Sequence, residues 1–131
     1  MENSFDRRLV IDFVRNTLGC CCPDEVFESI EIEEINAPEG IARLRRINIG
    51  NTLLVYVAWP AYDYESGIRH TAVAGRNERD RDGFNRFRLV VVRSDSLSTD
   101  SISGVFVSET GKDEKMHLHF VDSPEIARAS L

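Results

Sequence analysis

The hydrophobic pattern near the amino end predicts an amphipathic helix over residues 4–18. Apolar side chains recur there at i, i+4, i+5, i+8 and i+9, the spacing of a single helix face. Asn3 or Ser4 can cap the start of this helix, and Gly19 follows where a left-handed carboxyl-terminal cap belongs. The apolar positions are Phe5, Leu9, Val10, Phe13, Val14 and Leu18.

The chain after this helix contains a series of segments with strand patterns. Alternation of apolar and polar residues predicts a half-buried strand, whereas a nearly continuous apolar run predicts a central strand covered on both faces. Gly50-Asn51 offers the positive φ angles of a tight hairpin turn, and "NAPEG" at 36–40 is a second turn. The strand segments are 28–35, 41–49, 52–59, 87–92 and 115–122, of which 52–59 and 87–92 are nearly continuous in apolar residues.

The segments between these strands determine the expected fold class. Residues 62–82 and 96–111 carry weak helical patterns, and the tail from Pro124 is compatible with a short helix or with disorder. Connections of this length favour parallel pairing of the last three strands, with the helices packed on the sheet. We therefore expect an α/β domain, with α+β as the alternative, built on a single mixed sheet. Ferredoxin-like and thioredoxin-like arrangements are both compatible with this order of elements.

The composition indicates a single domain spanning residues 1–131. The chain has 42% hydrophobic and 29% charged residues, which is ordinary for a globular protein. Its net charge of −6 argues against binding to nucleic acid or to an anionic membrane, because such binding depends on Lys and Arg. No apolar run reaches the roughly 20 residues of a bilayer span, and the amino-terminal residues lack the pattern of a signal peptide. These features predict a cytoplasmic protein with reduced thiols.

The three cysteines are consecutive, at positions 20–22. Neighbouring Cα atoms lie about 3.8 Å apart, below the usual disulfide range of about 4.4–6.8 Å. Cys20 and Cys22 can span that range in a bent loop, so they are the candidate redox or chelating pair, and Cys21 would point elsewhere. Asp24 and Glu25, which follow the pair after Pro23, oppose thiolate formation, so no strongly activated thiolate is expected.

A soft metal such as zinc, copper(I) or an iron–sulfur cluster is a second use for these thiols. Structural zinc usually takes four ligands, and the second ligand pair can only be His117 and His119, which lie about 6.6 Å apart on one face of a strand. Cys20, Cys22, His117 and His119 are therefore candidate metal ligands, although the sequence requires no cofactor. The simpler interpretation is that the histidines belong to an exposed strand face and the cysteines are small buried or turn residues.

The arginine-rich segment 75–93 surrounds Phe84 and Phe87, as basic residues surround the stacking aromatics of RNA-binding strands. Asp82 and Asn85 break that motif at its basic and small positions, and interleaved acids indicate an ion-paired surface instead. RNA binding is therefore not expected. The glycine-rich motifs of phosphate loops are also absent from the sequence.

The stretches "FVRNTLGCCCPDEVF", "LLVYV", "ERDRDGFNRFRLVVV" and "HLHFV" together resemble a small prokaryotic domain family of uncharacterised proteins. In that family the loop reads L-G-C-x-C-P-x-E-V-F. The resemblance covers most of the chain and implies that the C-x-C pair is a family feature, with Cys21 at the variable position. It implies no particular activity, substrate or cofactor. The matching positions are Leu18, Gly19, Cys20, Cys22, Pro23, Glu25, Val26 and Phe27.

Two functional hypotheses follow from the sequence. In the first, Cys20 and Cys22 form a thiol site that cycles with a disulfide, carries sulfur or holds a soft metal. In the second, the chain is a non-catalytic protein-binding or regulatory domain with structural cysteines, which self-associates through an exposed edge strand. The sequence does not determine whether the protein is an enzyme, nor its substrate or partner.

Overall fold

The computed structural model describes residues 5–20, 22–111 and 113–131. Its centre is a five-stranded mixed sheet with helices packed on both faces, which confirms the single mixed sheet expected from the sequence. The strands are β1 (Ile30–Ile35), β2 (Ile41–Ile49), β3 (Leu53–Pro60), β4 (Arg86–Arg93) and β5 (Met116–Asp122). The helices are α1 (Arg7–Asp12), α2 (Tyr64–Asp82), α3 (Thr99–Thr110) and α4 (Ser123–Arg128), with a π-helical turn (Phe13–Thr17) and a 3₁₀ turn (Asp24–Glu28).

The strands lie side by side in chain order, from β1 to β5. Strands β1, β2 and β3 form an antiparallel meander, and β4 and β5 continue the sheet in parallel with β3, which confirms the predicted parallel pairing. This order is neither ferredoxin-like nor thioredoxin-like, because both of those arrangements place strands that are not consecutive in the chain next to each other. Secondary-structure patterns cannot distinguish these orders, since all of them use similar elements.

Two apolar cores cover the two faces of the sheet. On one face, α1, the π turn and α4 pack over residues such as Val55 and Val90. On the other face, α2 and α3 pack over residues such as Phe87 and Leu89. Strands β3 and β4 contribute to both cores, which explains their nearly continuous apolar sequences. None of the helices that the structure describes combines the length and the hydrophobicity of a membrane span.

The first predicted helix is shorter and less regular than its apolar pattern suggests. Asn3 and Ser4, the predicted caps, lie outside the described residues, and Asp6 caps α1 by accepting hydrogen bonds from the next turn. After Asp12 the helix widens into the π turn, which ends before Gly19. Gly19 has a φ of +76°, as predicted for the residue that ends this helix.

The predicted hairpin turn and crossover helices are confirmed. Gly50 and Asn51 have φ angles of +60° and +54° between β2 and β3, the conformation that the sequence Gly-Asn favours. The weak pattern at 62–82 forms α2, and the segment 96–111 contains α3. Of the two alternatives for the tail, the structure has the short helix α4.

Candidate functional site

Cys20 and Cys22 are joined by a disulfide bond in the loop that follows the π turn, with their Cα atoms 5.4 Å apart. This is the pair that the chain geometry favoured, and Cys21 lies outside the described residues. The left-handed conformation of Gly19 reverses the chain, and the Cys20 backbone N–H then donates to the Val14 carbonyl at 3.1 Å. The disulfide is thereby anchored to the end of the first helix.

Both disulfide residues are half-buried, at the rim of the apolar core beneath α1. Pro23 then starts the 3₁₀ turn from an extended conformation, and its carbonyl accepts a hydrogen bond from Val26. Pro23 is therefore the amino-terminal cap residue of this turn. Asp24, at its first position, is ion-paired with Arg15.

The disulfide borders a cavity of about 450 Å³ between the cysteine loop and the sheet. A volume of this size is sufficient for a small organic ligand. The cavity lies where β3, β4 and β5 begin, because its lining includes residues at or before the first positions of β3 and β4 and the second position of β5. The lining residues are Gly19, Cys20, Cys22, Pro23, Val26, Thr52, Leu53, Asn85, Arg86, Arg88 and His117.

The wall that the sheet contributes to the cavity is basic. Arg86 and Arg88 project from the same face of β4, since side chains two residues apart share a face of a strand, and Arg88 is directly beside His117 of β5. Lys115 Nζ lies 3.4 Å from Oδ1 of Asn85, another lining residue. Among the described lining residues two are arginines and none is acidic, which contrasts with the net charge of −6 of the chain.

Two arginine–histidine contacts shape this wall. Arg88 Nη1 lies 2.9 Å from His119 Nε2, and Arg86 Nη1 lies 3.5 Å from His117 Nε2. Burial and the charge of Arg88 lower the pKa of His119 to about 4, and burial with the charges of Arg88 and Arg86 also lowers the pKa of His117. At neutral pH the positive charge of the wall therefore resides on the arginines, and the imidazoles accept hydrogen bonds.

The structure brings together only part of the candidate metal set. Cys20, Cys22 and His117 line the same cavity. His119 lies two residues farther along β5, where it contacts Arg88, and it is not among the described lining residues. In residues 5–20, 22–111 and 113–131, no group of three or more Cys, His, Asp or Glu side chains is placed to hold a metal ion. The guanidinium groups beside both histidines would also repel a cation.

Arg86 and Arg88 were not predicted as site residues, because the acids interleaved with the arginines of segment 75–93 favour an ion-paired surface. A signal was present in "RFRLVVV". Two arginines at alternate positions directly before a buried apolar run place two positive charges on one face at the start of a central strand. That face becomes a cavity wall only because the cysteine loop lies opposite it.

No protein-family model, no curated protein and no solved structure matches the chain.

Proposed function

We propose that the chain is a thiol–disulfide protein in which Cys20 and Cys22 cycle between a dithiol and a disulfide. The observation that carries this proposal is the position of the pair, which is bonded across a single residue at the border of a cavity large enough for a small ligand. A disulfide with a purely structural role would have no need of such a cavity. The proposal makes the chain a candidate oxidoreductase or sulfur-transfer protein.

The exchange chemistry requires no bound cofactor. An external thiolate attacks one sulfur of the Cys20–Cys22 bond, that bond breaks, and the other cysteine leaves as a thiolate. A second external thiolate attacks the mixed disulfide, so that an external disulfide is released and the protein pair remains as a dithiol. Two external thiols thus supply two electrons, and the reverse sequence reduces an external disulfide. In the reducing cytoplasm that the composition favours, the resting form would be the dithiol.

The direct test is a redox titration of the purified protein. The protein is equilibrated in buffers of defined thiol–disulfide ratio, its free thiols are trapped by alkylation, and the products are counted by mass spectrometry. We expect one two-electron transition, which Cys20→Ser and Cys22→Ser each abolish. Cys21→Ser tests the pairing, because the transition should persist in that variant. Thiols that react only after unfolding would overturn the proposal.

A second candidate function is a non-catalytic binding domain with structural cysteines. It is favoured by the packing of Cys20 and Cys22 against the apolar core beneath α1. In this case a partner protein or a second copy of the chain would bind at a sheet edge, through β1 or β5. This function predicts that Cys20→Ser and Cys22→Ser lower stability but leave partner binding or self-association unchanged, as measured by light scattering.

A further inference from the structure

We propose that the cavity beside the disulfide selects a small anionic thiol, whose carboxylate is held by Arg86 and Arg88 while its sulfur faces Cys20 and Cys22. This inference rests on the proposed thiol–disulfide function and adds the chemical class of the substrate. It depends on two arginines that line the same cavity as the disulfide.

The charge distribution supports an anionic ligand. The chain carries 22 acidic residues against 16 Lys and Arg, so an anion approaching an average part of its surface would be repelled. At the cavity this relation is reversed, because the described lining contains two arginines and no carboxylate. A wall of one sign in a recessed site raises the local concentration of the opposite charge.

The chemistry of the arginines favours a carboxylate. A guanidinium presents several N–H donors in one plane, which match the two oxygens of a carboxylate. Arg86 is exposed and Arg88 is buried, so the first can meet a ligand at the cavity mouth and the second deeper inside. Asn85 and His117, which also line the cavity, supply further polar groups for orientation.

Two acidic groups close in sequence or space to the cavity residues are ion-paired with other arginines. Asp113 is close enough to His117 to influence its titration, but its carboxylate is ion-paired with Arg79 at 2.8 Å. Asp24, next to the lining residue Pro23, is ion-paired with Arg15. Neither carboxylate is among the described residues that line the cavity.

The first experiment measures anion binding without redox chemistry. Succinate, a dicarboxylate without a thiol, is titrated into the oxidised protein, and the His117 and Arg86 NMR signals are followed. We expect saturable shifts at both signals in the wild type, and the affinity read from the His117 signal should fall about 10-fold in Arg86→Gln, the size of a charge-assisted hydrogen bond. Arg86→Lys should restore this affinity only in part, because an ammonium keeps the charge but not the planar set of donors. Arg93→Gln is the matched control, because Arg93 ends the same strand but is ion-paired with Asp122 outside the cavity.

The second experiment compares rates of disulfide reduction by thiols of different charge. Apart from the thiol, mercaptosuccinate carries two negative charges and 3-mercaptopropionate carries one, whereas 2-mercaptoethanol is neutral and cysteamine carries one positive charge. Their rates of disulfide reduction are compared at equal thiolate concentration. We expect the anionic thiols to be faster by about 10-fold, the lower end of electrostatic enhancement. The advantage should be lost in Arg86→Gln and retained in Arg93→Gln.

The two readouts separate the two proposals. If succinate does not bind and the rates are independent of thiol charge, the anionic substrate class is wrong, although a reducible pair would still support the thiol–disulfide function. If succinate binds but no thiol reduces the pair in the folded protein, the thiol–disulfide function is wrong, and with it the assignment of the anion as a thiol. Equal losses in Arg86→Gln and Arg93→Gln would show a net-charge effect and overturn the site.

Discussion

Arg88 of β4 and His119 of β5 are joined by a hydrogen bond of 2.9 Å between the guanidinium Nη1 and the imidazole Nε2. A guanidinium can only donate, so the imidazole accepts through Nε2 and is neutral in this arrangement. The contact joins adjacent parallel strands on the face of the sheet that carries the cavity. The contact orients Arg88 through an imidazole that is uncharged at neutral pH and therefore does not neutralise the guanidinium.

We predict that His119 titrates far below an ordinary histidine. Burial and the charge of Arg88 lower its pKa to about 4, whereas in the unfolded chain it should be near 6.5. Between these values the unfolded chain binds more protons than the native protein, so stability falls as the pH is lowered through this window. The measurement is an NMR pH titration of the His119 ring, and a midpoint near 6.5 would contradict the prediction.

The matched variant for this titration is Arg88→Gln. It removes the neighbouring charge while most of the burial remains, so the pKa of His119 should rise but stay below 6.5. The free energy of unfolding should fall less between pH 7 and pH 5 in His119→Gln than in the wild type, because the titrating group is absent. Urea unfolding at both pH values measures this difference. An unchanged His119 midpoint in Arg88→Gln would contradict the role of the arginine.

Glu78 of α2 should be a principal anchor between that helix and the sheet. Its buried carboxylate accepts hydrogen bonds from Arg46 of β2, at 2.6 Å, and from the Tyr56 hydroxyl of β3. Glu78→Gln leaves the mostly buried Arg46 without its counter-charge, so we expect a loss of about 3 kcal/mol in the free energy of unfolding. Tyr56→Phe removes a single donor and should cost about 1 kcal/mol. Urea unfolding measures both, and equal small losses would contradict the assignment.

Two helix glycines should respond in opposite ways to alanine. A Cβ built on Gly75 of α2 would lie 2.2 Å from the ring of Phe87, a fully buried residue. We therefore expect Gly75→Ala to lower the free energy of unfolding by about 2 kcal/mol, as overpacking does. Gly104 of α3 has no atom within 4 Å of such a Cβ, so Gly104→Ala should raise stability by about 0.5–1 kcal/mol. Thermal unfolding measures both changes, and stabilisation by Gly75→Ala would contradict the close packing.

Reduction of the Cys20–Cys22 bond should change stability only slightly. The bond closes a loop across one intervening residue, and the loop-entropy contribution of so short a loop is less than about 2 kcal/mol. The reduced protein should therefore remain folded, as a protein that cycles between both forms requires. Urea unfolding with and without a phosphine reductant provides the measurement. Loss of the folded state on reduction would identify the bond as a structural crosslink.

Local patterns were sufficient to predict most elements of this fold. Strand β2 occupies the predicted segment Ile41–Ile49, and the Gly50-Asn51 turn adopts the expected conformation. Helix α2 was less evident from the sequence because of Gly67 and Gly75. The structure shows the reason for these glycines, since a Cβ at Gly67 would lie 2.7 Å from the Glu39 carbonyl and one at Gly75 would meet Phe87. Close packing of α2 against its neighbours requires these glycines, and the helical pattern of its sequence is weak for that reason.

The cavity was less predictable because it depends on distant contacts. Its walls come from the cysteine loop, the starts of β3 and β4 and the second residue of β5, and no periodicity determines which sheet face the first helix covers. General experience with α/β sheets places ligands at the carboxyl ends of the parallel strands, whereas this cavity lies at their amino ends. The sequence therefore identified Cys20, Cys22 and His117 without showing that they meet or that Arg86 joins them.

The sequential strand order also determines how the sheet can grow during synthesis. Each strand pairs with the strand before it in the chain, so an emerging chain can extend the sheet at one edge, strand after strand. The antiparallel meander of β1 to β3 requires only short loops, whereas β4 and β5 each follow a helical crossover and should join more slowly. Because His117 is on β5, the last strand to be added is also the one that completes the cavity.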